Sequence, residues 1–147
     1  DIVQTYLGYC RQQPIARLCE KHGKTLCVDA NYADVRDREA ALAALPGIDY
    51  LKVNEQEAAC LSGCEDAEAA LSFLGSRTKC GVIVTRGSRG GIAMDHRERY
   101  AFPAQEIILR RASCMAFLRE KPSRRHWNPA AGWPVWPLPG TAEMTRR

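Results

Sequence analysis

No stretch of the chain reaches the roughly 18 consecutive apolar residues that a membrane-spanning helix requires. There is no Cys-x-x-Cys pair, and no Cys–His spacing of the kind that builds a zinc site. Histidine is scarce: His22, His96 and His126 fall at a predicted helix end, in a turn and in an irregular tail, without a catalytic partner close in sequence. No internal repeat is visible, and no signal-peptide pattern opens the sequence. These absences argue against a membrane protein, a zinc module, a histidine-based hydrolase and a solenoid. The seven cysteines are an odd number with no secretory context, which predicts reduced thiols in the cytoplasm.

The net charge of +4 is unevenly distributed. Residues 108–147 hold eight Arg or Lys against two Glu, so residues 1–107 are slightly acidic. The basic residues sit in irregular sequence and not on one face of a folded element, so no nucleic-acid partner is predicted. The 147 residues suffice for one domain, with hydrophobic residues at 46%. Predicted strands at 25–30, 48–53, 82–85, 91–94 and 99–102 alternate with predicted helices at 6–22 (broken or started by Pro14), 37–45, 55–61 and 66–74. Ala69, Ala70, Phe73 and Leu74 are expected to form the apolar face of that last helix. Asp95 to Glu98 reads as the turn between two antiparallel strands. Alternating β and α units predict an α/β fold with a mostly parallel sheet.

The most informative stretch is Val82 to Gly91. A β-branched strand ends at Thr85 and enters the glycine-rich turn Arg86-Gly87-Ser88-Arg89-Gly90. Glycine adopts positive φ without penalty, and successive N–H groups in such a turn attract anions. Turns at the carboxyl ends of parallel strands are where open α/β sheets hold ligands. About 30 residues earlier, the strand Tyr50 to Val53 runs into Asn54-Glu55-Gln56-Glu57. Two readings of Asn54 and Glu57 are open. They form a capping box that starts a helix, or they face the sheet edge beside the glycine turn. In the second case Glu57 holds Mg²⁺ through water, as suits an ion that keeps most of its hydration shell. Asp29 and Asn31 end a strand on the same edge, either as ligand-facing residues or as ordinary turn formers.

The ordered set of Asp29-x-Asn31, Arg36, Asn54-x-x-Glu57 and Thr85-x-Gly87-x-x-Gly90, followed by Tyr100-Ala-Phe-Pro-Ala, resembles the second half of a ribokinase-like sugar kinase of the PfkB family. The resemblance covers roughly residues 1–107. It implies a partial ribokinase-like three-layer α/β/α fold and transfer of the γ-phosphate of ATP to a sugar hydroxyl. It further implies ATP and Mg²⁺ as cofactors and a sugar or sugar-like partner, with a homodimer as one possible parent assembly. Asn54, Thr85, Arg86, Gly87, Ser88, Arg89 and Gly90 would bind the nucleotide, and Glu57 the metal. Complete members are about twice this length, so the chain reads as a fragment lacking the half that carries most sugar contacts.

The resemblance also implies a glycine-rich anion hole and a catalytic Asp after the last strand. Here the chain reads Ile107-Ile-Leu-Arg-Arg-Ala-Ser-Cys114, which has neither. From about Ile108 the composition changes: most of the prolines and all three tryptophans lie beyond residue 119, with no periodicity. Such sequence is typical of GC-rich DNA read out of frame. Met115-Ala116 is encoded ATG-GCN, so an offset frame reads Gly there. Traced back to Glu106, that frame admits Asp-x-Thr-Ala-Ala-Gly-Val-Val-His-Gly, close to the family's catalytic segment but without its Asp. The expectation is a kinase-like unit over 1–107, a frameshifted tail over 108–147 and no activity in the chain as given. The alternative is a non-catalytic nucleotide-binding remnant or pseudogene product.

Overall fold

The computed structural model describes residues 1–104. Six strands form one sheet in sequential order: β1 (Ile2–Tyr6), β2 (Thr25–Asp29), β3 (Tyr50–Asn54), β4 (Gly81–Thr85), β5 (Gly91–Asp95) and β6 (Glu98–Phe102). Strands β1 to β4 run parallel, and β5 and β6 are added by antiparallel hairpins. Six helices fill the crossovers: α1 (Leu7–Gln12), α2 (Ile15–Lys21), α3 (Tyr32–Val35), α4 (Arg38–Ala44), α5 (Glu55–Ser62) and α6 (Ala67–Gly75). This is the mixed α/β architecture with a mostly parallel sheet that the sequence predicts.

Side-chain alternation along the strands explains the layering. Leu26 and Val28, Leu51 and Val53, Val82 and Val84, and Ile92 project to one face. They meet Leu7, Cys19, Val35, Ala41, Leu45, Ala58, Leu61, Ala70, Leu71 and Leu74 from the helices and the turn after α4. The opposite face holds a smaller cluster of Cys27, Tyr50, Ile83 and Ala93. The helices in the described residues therefore form one layer against the sheet. Complete burial of each such leucine is worth about 1.5–3 kcal/mol.

Local chemistry sets the boundaries. Asn31, Asp37, Asn54 and Asp66 cap α3, α4, α5 and α6, each side chain accepting a backbone N–H three residues on. Gly63 closes α5 at φ 75°, the left-handed conformation that glycine tolerates best.

Three expectations are adjusted, and the break expected at Pro14 is met. Tyr6 is the last residue of β1 and not the start of a helix, because its backbone is extended at φ −101° and pairs with Asp29. The predicted helix over 6–22 is two helices, since Pro14 has no N–H to continue the ladder and stands before the first turn of α2. Ala69 is exposed; Leu71 takes the inward position in α6, with Phe73 half-buried beneath Arg77. Leu45 leaves α4 for a short 3-10 turn containing Pro46 and remains fully buried. The expectations for residues 105–107 and for the tail, 108–147, lie outside the described residues.

Candidate functional site

The carboxyl ends of β1 to β4 reach one edge of the sheet at Tyr6, Asp29, Asn54 and Thr85. Strand register brings the two sequence motifs together there, because Asn54 and Thr85 are direct partners across β3 and β4. Thr85 Oγ1 donates to Val53 O at 3.4 Å, which ties the entrance of the glycine turn to the neighbouring strand.

At the end of β3 the capping box is formed in full. Asn54 Oδ1 accepts the Glu57 N–H at 2.9 Å, and Glu57 Oε2 accepts the Asn54 N–H at 2.8 Å. Glu57 is buried, at 7% exposure. Burial pushes its carboxyl above the ordinary value; the Asn54 N–H and the Lys52 charge oppose this, and Asp29 and Asp34 reinforce it. The capping role is therefore real.

The glycine turn is a compact 3-10 element over Gly87–Arg89. Its Arg86 N–H bonds Gly90 O, its Arg89 N–H bonds Arg86 O, and its Gly90 N–H bonds Gly87 O. The donors of this turn left for a ligand are the N–H groups of Gly87 and Ser88, both on exposed residues. The two named glycines are required for different reasons. Gly87 sits at φ 56° with nothing within 4 Å of where a side chain would start, so its outer face is open. Gly90, at φ 79°, is buried; a side chain there would lie 2.0 Å from Phe102 O. Gly90 is thus demanded by packing against β6 as well as by its backbone conformation, and Gly87 by backbone conformation alone.

Two charged contacts knit the edge. Arg89 donates to Glu55 Oε2, joining the glycine turn to the first residue of α5. Asp29 pairs with Lys52 at 3.1 Å and accepts from Gln4 Nε2 at 2.8 Å. Arg86 is half-buried; burial holds its guanidinium below the ordinary value, with the Glu55 charge acting in the opposite direction. Asn31 caps α3, and Arg36 is exposed at the end of that helix. The structure therefore gathers Asn54, Glu57, Thr85 and the turn 86–90 along one edge. Asp29 lies beside them through Lys52, and Asn31 serves as a cap.

Three members of the edge carry no motif signal. Lys52 is foreshadowed only as a lysine in an otherwise apolar strand. Glu55 and Asp34 look like helix-start acids in sequence, and their neighbours become visible only once the strands are in register.

Among the described residues no group of three or more His, Cys, Asp or Glu side chains is placed to hold a metal directly. A single carboxylate at Glu57 does fit an ion that binds mainly through its own waters. The open face of Gly87 and the Gly87 and Ser88 N–H groups fit a phosphate.

No curated protein sequence is similar enough to the chain to match it. Among solved structures, a probable sugar kinase from Rhizobium etli is 23% identical with a TM-score of 0.61, over 69% of this chain and 34% of that one. Adenosine kinase from Sinorhizobium meliloti is 22% identical with a TM-score of 0.59, over 69% and 34%. Fructokinase from Vibrio cholerae, solved with fructose, ADP and calcium ion bound, is 16% identical with a TM-score of 0.59, over 69% and 37%. The chain thus spans well under half the length of these proteins, and at such identities the likeness shows the fold. The sequence profile described as pfkB family carbohydrate kinase matches residues 13–108, most of the chain, and includes both motifs that the register brings together. On that match, the chain belongs to the pfkB family of carbohydrate kinases.

Proposed function

We propose that this chain is the nucleotide-facing part of an ATP-dependent kinase that phosphorylates a hydroxyl of a sugar or nucleoside, and that the chain as given is catalytically inactive. One observation carries the reading: Asn54 and Thr85 are register partners at the carboxyl edge, so the capped start of α5 and the glycine turn begin side by side. Phosphoryl transfer depends mainly on positioning and charge stabilisation. Gly87 and Ser88 N–H groups would bind phosphate oxygens. Asn54 would stand beside them through the part of its amide not used in capping. Glu57 would hold the waters of Mg²⁺, which supplies neutralisation of phosphate charge when bound. Arg86 and Arg89 bring positive charge to the same turn.

Inactivity follows from the sequence after β6. The profile match stops at residue 108, and residues 107–114 offer no carboxylate to take the hydroxyl proton. A single insertion or deletion in the coding DNA near the Ile107 codon accounts for this, and sequencing that region in close relatives tests it. The parent would act in a reducing compartment such as the cytoplasm, consistent with six free cysteines among the described residues.

Calorimetric titration with ADP, with and without Mg²⁺, tests the binding claim. Weak magnesium-dependent binding that Gly87→Val abolishes is expected. Binding that ignores both magnesium and the substitution would contradict the reading. For inactivity, ATP-dependent phosphorylation of ribose, fructose or adenosine by the purified chain above a mock preparation is the contrary result.

A further inference from the structure

The pair Glu55–Arg89 joins two motifs that are 34 residues apart in sequence. It ties Arg89 of the glycine turn to the first residue of α5, and its side chains are 33% and 65% exposed. Glu55 also acts on the neighbouring Arg86 guanidinium, favouring its charge together with Glu68 and Asp66, while Arg89 opposes it. An exposed pair of this kind is weak and screened by salt. A phosphate carries more charge than a carboxylate and offers the same paired oxygens to an arginine fork.

We propose that Glu55 is an internal stand-in for phosphate: it holds Arg89 at the turn when no nucleotide is bound, and the terminal phosphate of a nucleotide takes Arg89 from it. The inference rests on the proposed nucleotide site. Glu55 is thereby a regulatory residue of that site, setting the affinity from the unbound side. Arg89 is a binding residue that waits in place, which limits the side-chain freedom lost when nucleotide arrives. The competing explanation is structural. Glu55 is the first residue of α5, where a negative charge suits the helix dipole whether or not Arg89 is present.

The two explanations predict different outcomes. Under competition, Glu55→Gln frees Arg89 and tightens Mg·ADP binding by roughly threefold, the scale of an exposed ion pair. Glu55→Asp keeps the charge on the first turn of α5 but withdraws it from Arg89, and it tightens binding too. Arg89→Gln weakens binding, and adding Glu55→Gln to it yields no further gain. The experiment is Mg·ADP titration of the full chain and these four variants, followed by amide shifts of residues 85–90, with a thermal melt of each to confirm folding. Weaker or unchanged binding in Glu55→Gln and Glu55→Asp, or an equal gain in the Arg89→Gln background, overturns the stand-in role while leaving the nucleotide site intact. An absence of ADP-induced shifts at 85–90 in the wild type removes the site itself, and the inference with it.

Discussion

Glu57 separates a helix cap from a metal-binding carboxylate, because two substitutions remove different parts of it. Glu57→Ala removes both the acceptor for the Asn54 N–H and the side chain buried beside Lys52. Loss of the cap costs about 1 kcal/mol, and loss of a buried methylene about 0.8 kcal/mol. The expected destabilisation is therefore about 2 kcal/mol. Glu57→Gln keeps an oxygen for the Asn54 N–H, since Gln also completes a capping box, but removes the charge. Burial raises the Glu57 carboxyl above its ordinary value, so the folded state favours its protonated form. The stability this contributes is present below the unfolded value, about 4.3, and is lost as pH rises through the higher folded value. Glu57→Gln lacks that loss. At neutral pH it should equal or exceed the wild type in stability, whereas at pH 3.5 the two should be alike. Urea melts at both pH values measure this. ADP titrations with and without Mg²⁺ measure the other half, and Glu57→Gln should lose the magnesium dependence. A Gln variant as unstable as Ala would refute the cap argument. One that keeps full magnesium dependence would refute the metal role.

Three further outcomes follow from the same geometry. Gly90→Ala places a methyl against Phe102 O in a backbone region open essentially to glycine and should destabilise the β4–β6 sheet by about 3 kcal/mol, read as a drop in urea midpoint. Gly87→Val finds nothing within 4 Å of its Cβ and should cost about 1–2 kcal/mol for its positive φ; a folded variant that no longer responds to ADP is expected. Tyr50→Phe removes the β3 hydroxyl that donates to Asp95 Oδ1 at the end of β5 at 2.7 Å and should cost about 1–3 kcal/mol, with hydrogen exchange rising first in β5.

Strands β2 to β6 were legible because they are short runs rich in apolar and β-branched residues bounded by turn residues, as in Gly81 to Thr85. The α5 start was legible because capping chemistry is local: Asn54 and Glu57 are three residues apart, and their two hydrogen bonds follow from that spacing. The glycine turn was legible in position but not in mechanism. Its picture as a row of outward N–H groups gives way to a tight 3-10 turn with three of those donors bonded inside it. Sequence also could not distinguish Gly87, needed for its φ alone, from Gly90, needed also because β6 lies against it. That difference depends on Phe102 crossing from 12 residues away. The pairs Glu55–Arg89 and Asp29–Lys52 were invisible for the same reason, since long-range pairing of charges is set by register and not by local pattern. Tyr6 was misplaced because its hydrophobic neighbours fit both a strand end and a helix start, and only pairing with Asp29 in β2 decides between them.

The central claim is that nucleotide binds where β3 and β4 end. An amide-resolved NMR titration of the full chain with Mg·ADP tests it most directly. The account predicts saturable shifts centred on Asn54 to Glu57 and on Thr85 to Gly90, with a Kd of about 1 mM, equivalent to about −4 kcal/mol. Shifts centred elsewhere on the sheet, or none at 10 mM nucleotide (about tenfold above that Kd), would contradict it.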